Sequence, residues 1–132
     1  MSETSLRRYL LRMSVAVLIV AIFFAGMGVA ALVKPTLIWT PFGVAPATPE
    51  SRNEVRAVYG GFGLAVAALL VGADSASAAF HDGVLVSVAV ALAGMAAGRV
   101  LSALVEPRAL FGWPGLFLLV EVGLAGLLLT AR

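Results

Sequence analysis

Trp113-Pro114-Gly115-Leu116-Phe117-Leu118-Leu119-Val120-Glu121-Val122-Gly123-Leu124-Ala125-Gly126-Leu127-Leu128-Leu129-Thr130 is an apolar run interrupted by one carboxylate near its middle. It is long enough to cross a bilayer as a helix. An acidic side chain at the centre of such a helix costs roughly 2.5–3.5 kcal/mol, so Glu121 has to be neutralised, paired or hydrated. Reading outward from this stretch, three more apolar runs of spanning length precede it. The predicted fold is therefore an all-α, integral membrane four-helix up-down bundle.

Composition points the same way. Apolar residues make up 61% of the 132-residue chain and charged residues 12%, against about 45–50% and about 25% in soluble domains. So many apolar side chains cannot all be hidden in a core of this size, and lipid must solvate much of the surface. One membrane domain over residues 1–132 is expected, with spans at about 13–33, 51–72, 83–104 and 113–130, and membrane lipids as its surroundings. The chain has no cysteine, which excludes disulfides and thiol chemistry. A net charge of +2 with no dense basic run gives no reason to expect nucleic acid.

Arg7, Arg8 and Arg12 precede the first span and resemble the charged start of a secretory signal. Its apolar run, Val15 to Val33, is longer than the roughly 7–15 residues of a signal core, so an uncleaved first helix is expected. The next segment carries Pro35, Pro41, Pro46 and Pro49 and cannot be one helix. Its Leu37, Ile38, Trp39 and Phe42 suit a loop resting in the headgroup layer. Two overlapping start signals open span two: Thr48-Pro49-Glu50, and Ser51-Arg52-Asn53-Glu54 as a capping box. Ala73 to Asp82 reads as a polar link, and Glu106-Pro107 ends span three. Basic residues flank the two ends of the bundle almost evenly. The first helix usually dominates orientation, so both termini are expected in the cytoplasm.

The polar residues cluster at one end. Arg52, Glu54, Arg56 and Tyr59 open span two, Arg99 and Ser102 close span three, and Glu121 lies about eight residues into span four. Helical side chains lean toward their own N-terminus. In antiparallel neighbours Arg99 and Glu121 therefore lean toward each other, and an ion pair is predicted, with Tyr59 or Arg56 capping the same cavity. Arg56, Tyr59, Arg99 and Glu121 are the candidate ligand-binding residues; Arg52, Glu54 and Ser102 are lesser candidates. Arg52, Arg56, Tyr59 and Gly63 fall on one helical stripe at steps of four, three and four. Gly60, Gly61 and Gly63, with Gly94 and Gly98 on span three, read as close-packing positions within the bundle. His81 stands alone beside Asp82, and no metal, haem or other cofactor site is expected.

The stretch Arg52-Asn53-Glu54-Val55-Arg56-Ala57-Val58-Tyr59-Gly60-Gly61, the later Gly98-Arg99-Val100-Leu101-Ser102, and Glu121 together resemble the signature of a family of small bacterial membrane proteins, the domain of unknown function 4345 family. The resemblance covers nearly the whole chain. It implies four helices and brings no assigned activity. A looser similarity in layout to DoxX-like four-span proteins transfers no residues.

Three functions compete at this level. In the first, a binding or transport module holds a small amphipathic ligand between the arginines, Tyr59 and Glu121, or passes a proton through Glu121. Four spans enclose little space, so a transporter of this size would work as a homo-oligomer. In the second, an interaction protein uses the Arg–Glu pair only to fix helix packing. In the third, an intramembrane enzyme uses Glu121 as acid/base on a lipid-like substrate; no second nucleophile or metal motif supports it.

Overall fold

The computed structural model describes residues 2–5 and 13–132. Arg7, Arg8 and Arg12, on which the expected orientation rests, lie outside the described residues. Helix α1 is Val15–Val33, a short α2 is Thr36–Trp39, α3 is Pro49–Ala73, α4 is Ala78–Val105 and α5 is Trp113–Thr130. No strand occurs among the described residues. The four long helices are each long and apolar enough to cross a membrane. They form a helical bundle in which consecutive helices pack side by side and α1 closes the ring against α5. The α1–α3 and α4–α5 seams are tight, whereas α3–α4 and α1–α5 are looser.

Each helix buries one stripe. In α1 the buried positions are Val17, Val20, Ala21, Phe24, Gly28 and Ala31, the three-and-four spacing of a single helical face. The outward faces remain apolar: Ile22, Leu104, Leu119 and Val122 are all exposed. Water would not tolerate that surface, and acyl chains would. The densest core lies toward the two termini, where Val17 and Val20 meet Leu70, Leu85 and Leu128, all fully buried.

Local signals set the boundaries. Of the two start signals for span two, the first prevails. Thr48 is the N-cap, its hydroxyl accepts from the Ser51 amide at 3.1 Å, and Ser51 Oγ accepts from the Thr48 amide at 3.1 Å. Ser51 is thus the reciprocal partner at the third helical position and not a cap itself. Thr48→Ala should cost about 1 kcal/mol and speed amide exchange in the first turn of α3, readable by hydrogen–deuterium exchange; unchanged protection there would show that the cap is dispensable.

The link before span three is shorter than the expected Ala73 to Asp82. Ser77 caps α4, accepting from the Phe80 amide at 3.4 Å, so Ala78 through Asp82 are helical and His81 lies in the opening turns. Small and polar residues there read as a linker in sequence, yet a serine cap with alanines after it is also a helix start. At the other end Glu106 is the C-cap and Pro107 begins a short 3-10 turn, Pro107–Leu110. Gly112, at φ 80°, supplies the left-handed residue that turns the chain into α5.

Helix α3 is not uniform. Arg56–Gly61 winds as a π-helix, and the Phe62 amide donates to the Ala57 carbonyl five residues back. The buried stripe registers the extra residue: Val55 is followed by Gly60, five positions on, and then by Gly63, Val66, Ala67 and Leu70. The expected straight stripe of Arg52, Arg56, Tyr59 and Gly63 is therefore broken. Close approach of α1 accompanies this turn. A Cβ on Gly28 would lie 3.0 Å from the Gly60 carbonyl oxygen, and one on Gly63 would lie 3.1 Å from the Phe24 carbonyl oxygen. Gly60 and Gly63 thus serve packing as expected, whereas a Cβ on Gly61 would meet only ordinary contact. Gly94 and Gly98 do not pack within the bundle: both are exposed and a Cβ on either would meet nothing within 4 Å. Their spacing signals a smooth helix face but does not say which way that face points.

Candidate functional site

The two charges meet across the α4–α5 seam. Arg99 Nε donates to Glu121 Oε2 at 2.8 Å and to Oε1 at 3.0 Å, and Arg99 Nη2 donates to Oε1 at 2.7 Å. The guanidinium thus meets the carboxylate side-on, in the two-pronged geometry that only arginine offers. Glu121 is buried, with its side chain 5% exposed, while the Arg99 side chain is 24% exposed. The antiparallel helices bring about this meeting because each side chain tilts back along its own axis toward the other. Arg99 also lies over an aromatic platform, with its Cζ 5.6 Å from the centroid of the Phe117 ring. Phe117 in turn contacts Phe42 and Trp113, at centroid distances of 5.6 and 6.3 Å.

Beside the pair is a cavity of about 370 Å³. Its walls come from α1, α3, α4 and α5, and its roof from the segment after α1, through Leu37, Ile38, Pro41 and Phe42. Tyr59, Arg99 and Glu121 are the polar side chains of the lining; the rest is apolar, with Phe24, Met27 and Leu92 on its walls. Met95 and Leu37 line it and are also exposed, so the cavity opens at the side of the bundle. A mostly apolar recess with a few convergent polar groups is the usual form of a small-molecule site, and this volume lies near the low end of the roughly 300–1,000 Å³ range.

The other sequence candidates are placed elsewhere. Arg56 does not line the cavity: its Nε donates to the Leu32 carbonyl at 3.1 Å. That bond satisfies a carbonyl in the last turn of α1, and the π-helical turn allows it by carrying Arg56 away from the phase of Tyr59. Arg52 Nη1 donates to the Ala47 carbonyl at 2.9 Å and the Pro46 carbonyl at 3.4 Å, tying the roof segment to the start of α3. Glu54 and Ser102 are exposed and outside the cavity.

Sequence reasoning missed the roof and the Phe117 platform. Leu37, Ile38 and Phe42, expected in a loop of the headgroup layer, are wound into α2 and a 3-10 turn, Thr40–Phe42, ended by Gly43 at φ 75°. The signal for Phe117 was available: it precedes Glu121 by four residues and so shares its helix face.

No curated protein and no solved structure matches the chain. A family model, the domain of unknown function DUF4345, matches residues 13–132, which include every element described above. The chain therefore belongs to the DUF4345 family.

Proposed function

We propose that this protein binds a small amphipathic molecule in the cavity beside Arg99 and Glu121, as a binding or transport module of the membrane. The observation that carries this reading is the coincidence of three polar side chains with an otherwise apolar recess that opens sideways, where lipid would be. A pair that served packing alone would need no recess at its side. Basic residues flank the two ends almost evenly, and the usual dominance of the first helix supports both termini in the cytoplasm; the cavity would then lie in the outer half of the bilayer. The family resemblance favours a bacterial inner membrane.

Native mass spectrometry of the protein extracted with its lipids tests the reading. The wild-type protein should retain a small molecule that Met95→Trp releases, because an indole at the rim occupies the recess. Met95 is exposed, so the substitution should leave the fold intact, checked by circular dichroism. Identical retention by the two proteins would refute the assignment.

A further inference from the structure

We infer that the molecule held in this cavity is uncharged and presents a hydrogen-bond acceptor, a carbonyl-type oxygen, at one end of an apolar body. The inference rests on the binding role proposed above and adds the chemical class of the ligand.

The argument is a count of charges and donors. Glu121 already balances the charge of Arg99 through three hydrogen bonds. A second anion would leave a net negative charge against an apolar wall, and a cation would leave a net positive one; both are costly away from water. A neutral guest adds no charge. Donors are in excess at the same place. A guanidinium carries five N–H groups, and those used by Glu121 belong to Nε and Nη2. Arg99 Nη1 has no acceptor among the described residues, nor does the Tyr59 hydroxyl, which belongs to the same lining. Arg99 Cζ lies over the Phe117 ring, and Nη1 offers its N–H groups to an acceptor. Glu121, in contrast, sits 5% exposed with both oxygens already accepting. A guest that brings an acceptor is therefore matched, and one that brings only donors is not. Phe24, Met27 and Leu92 then enclose the apolar body, which enters from the bilayer past Met95.

The test uses four probes of matched chain length in nanodiscs: methyl decanoate, decane, decanoate and decylamine. Methyl decanoate should be retained at least about tenfold better than the others. The stretching band of its isotope-labelled carbonyl should move to lower frequency on binding, as a hydrogen-bonded carbonyl does. Tyr59→Phe should weaken ester retention about fivefold, the effect of one hydrogen bond, and leave decane unchanged; the hydroxyl it removes has no hydrogen-bond partner among the described residues, and circular dichroism checks the fold. Preferential retention of decanoate or decylamine, abolished by Met95→Trp, would overturn the ligand class while leaving the cavity a binding site. Equal retention of decane and ester, with no effect of Tyr59→Phe, would likewise overturn the class. No probe retained above the Met95→Trp level would overturn the binding role itself.

Discussion

Glu121→Leu should destabilise the bundle by about 3–5 kcal/mol, the cost of stranding one partner of a buried ion pair. The expected loss is large because Arg99 cannot retreat easily. Its side chain is only 24% exposed and lies over the Phe117 ring, and the variant leaves Nε and Nη2, which Glu121 had taken, without an acceptor. The double variant Arg99→Leu with Glu121→Leu should recover most of that loss, since two apolar side chains in a membrane bundle need no pairing, and burying the charges was itself unfavourable. The measurement is a double-mutant cycle from reversible unfolding in mixed micelles. A coupling energy under about 1 kcal/mol, the range of exposed pairs, would mean that water or lipid headgroups already relieve Glu121, and the site as described would not hold. The same cycle separates stability from binding. If the double variant is stable yet retains no ligand, the pair is present for the guest.

Gly63→Leu should destabilise by about 3 kcal/mol, at the upper end of ordinary overpacking, and Gly28→Leu should do the same. At both positions the atoms that a side chain would meet belong partly to backbone. For Gly63 they are the Phe24 carbonyl and the Gly28 Cα, at 3.1 and 3.3 Å; for Gly28 they include the Gly60 carbonyl and the Leu64 amide, each at 3.0 Å. Backbone cannot swing aside as a flexible side chain can, so α1 and α3 would have to separate. Gly94→Leu is the control. With nothing within 4 Å of its Cβ, it should change stability by no more than about 0.5 kcal/mol. Equal losses at Gly63 and Gly94 would show that the cost is one of glycine replacement in general and not of helix contact.

Much of this architecture was legible in the sequence because lipid leaves few alternatives. Apolar runs of spanning length have to be helices there, and short connections make neighbours antiparallel. Glu121 and Arg99 could be matched because ionisable groups inside spans are scarce, and a lone carboxylate there demands a partner. The winding of α3 was not legible. Assigning faces assumed the ordinary helical period throughout, and nothing in Arg56-Ala57-Val58-Tyr59-Gly60-Gly61 announces an inserted residue; the change coincides with the close approach of α1 to Gly60 and Gly63, a tertiary fact. The roof escaped for a different reason. Prolines correctly ruled out one continuous helix, but proline also fits the first turn of a short one, and sequence alone does not say whether Leu37 and Phe42 turn toward lipid or toward the bundle. The position of Gly94 and Gly98 was similarly ambiguous, since smallness is needed for contact but does not prove it.

The extra residue in α3 also has a mechanical meaning. Successive residues of an α-helix are about 100° apart around the axis, from 3.6 per turn. Rewinding Arg56–Gly61 to the ordinary pitch would therefore rotate the preceding turns, Pro49–Val55, relative to the rest of the rod. Arg52 on those turns holds the Pro46 and Ala47 carbonyls, so the twist would be felt first where the connection enters the rod. The pitch of one turn of backbone thus sets the angle at which that connection arrives.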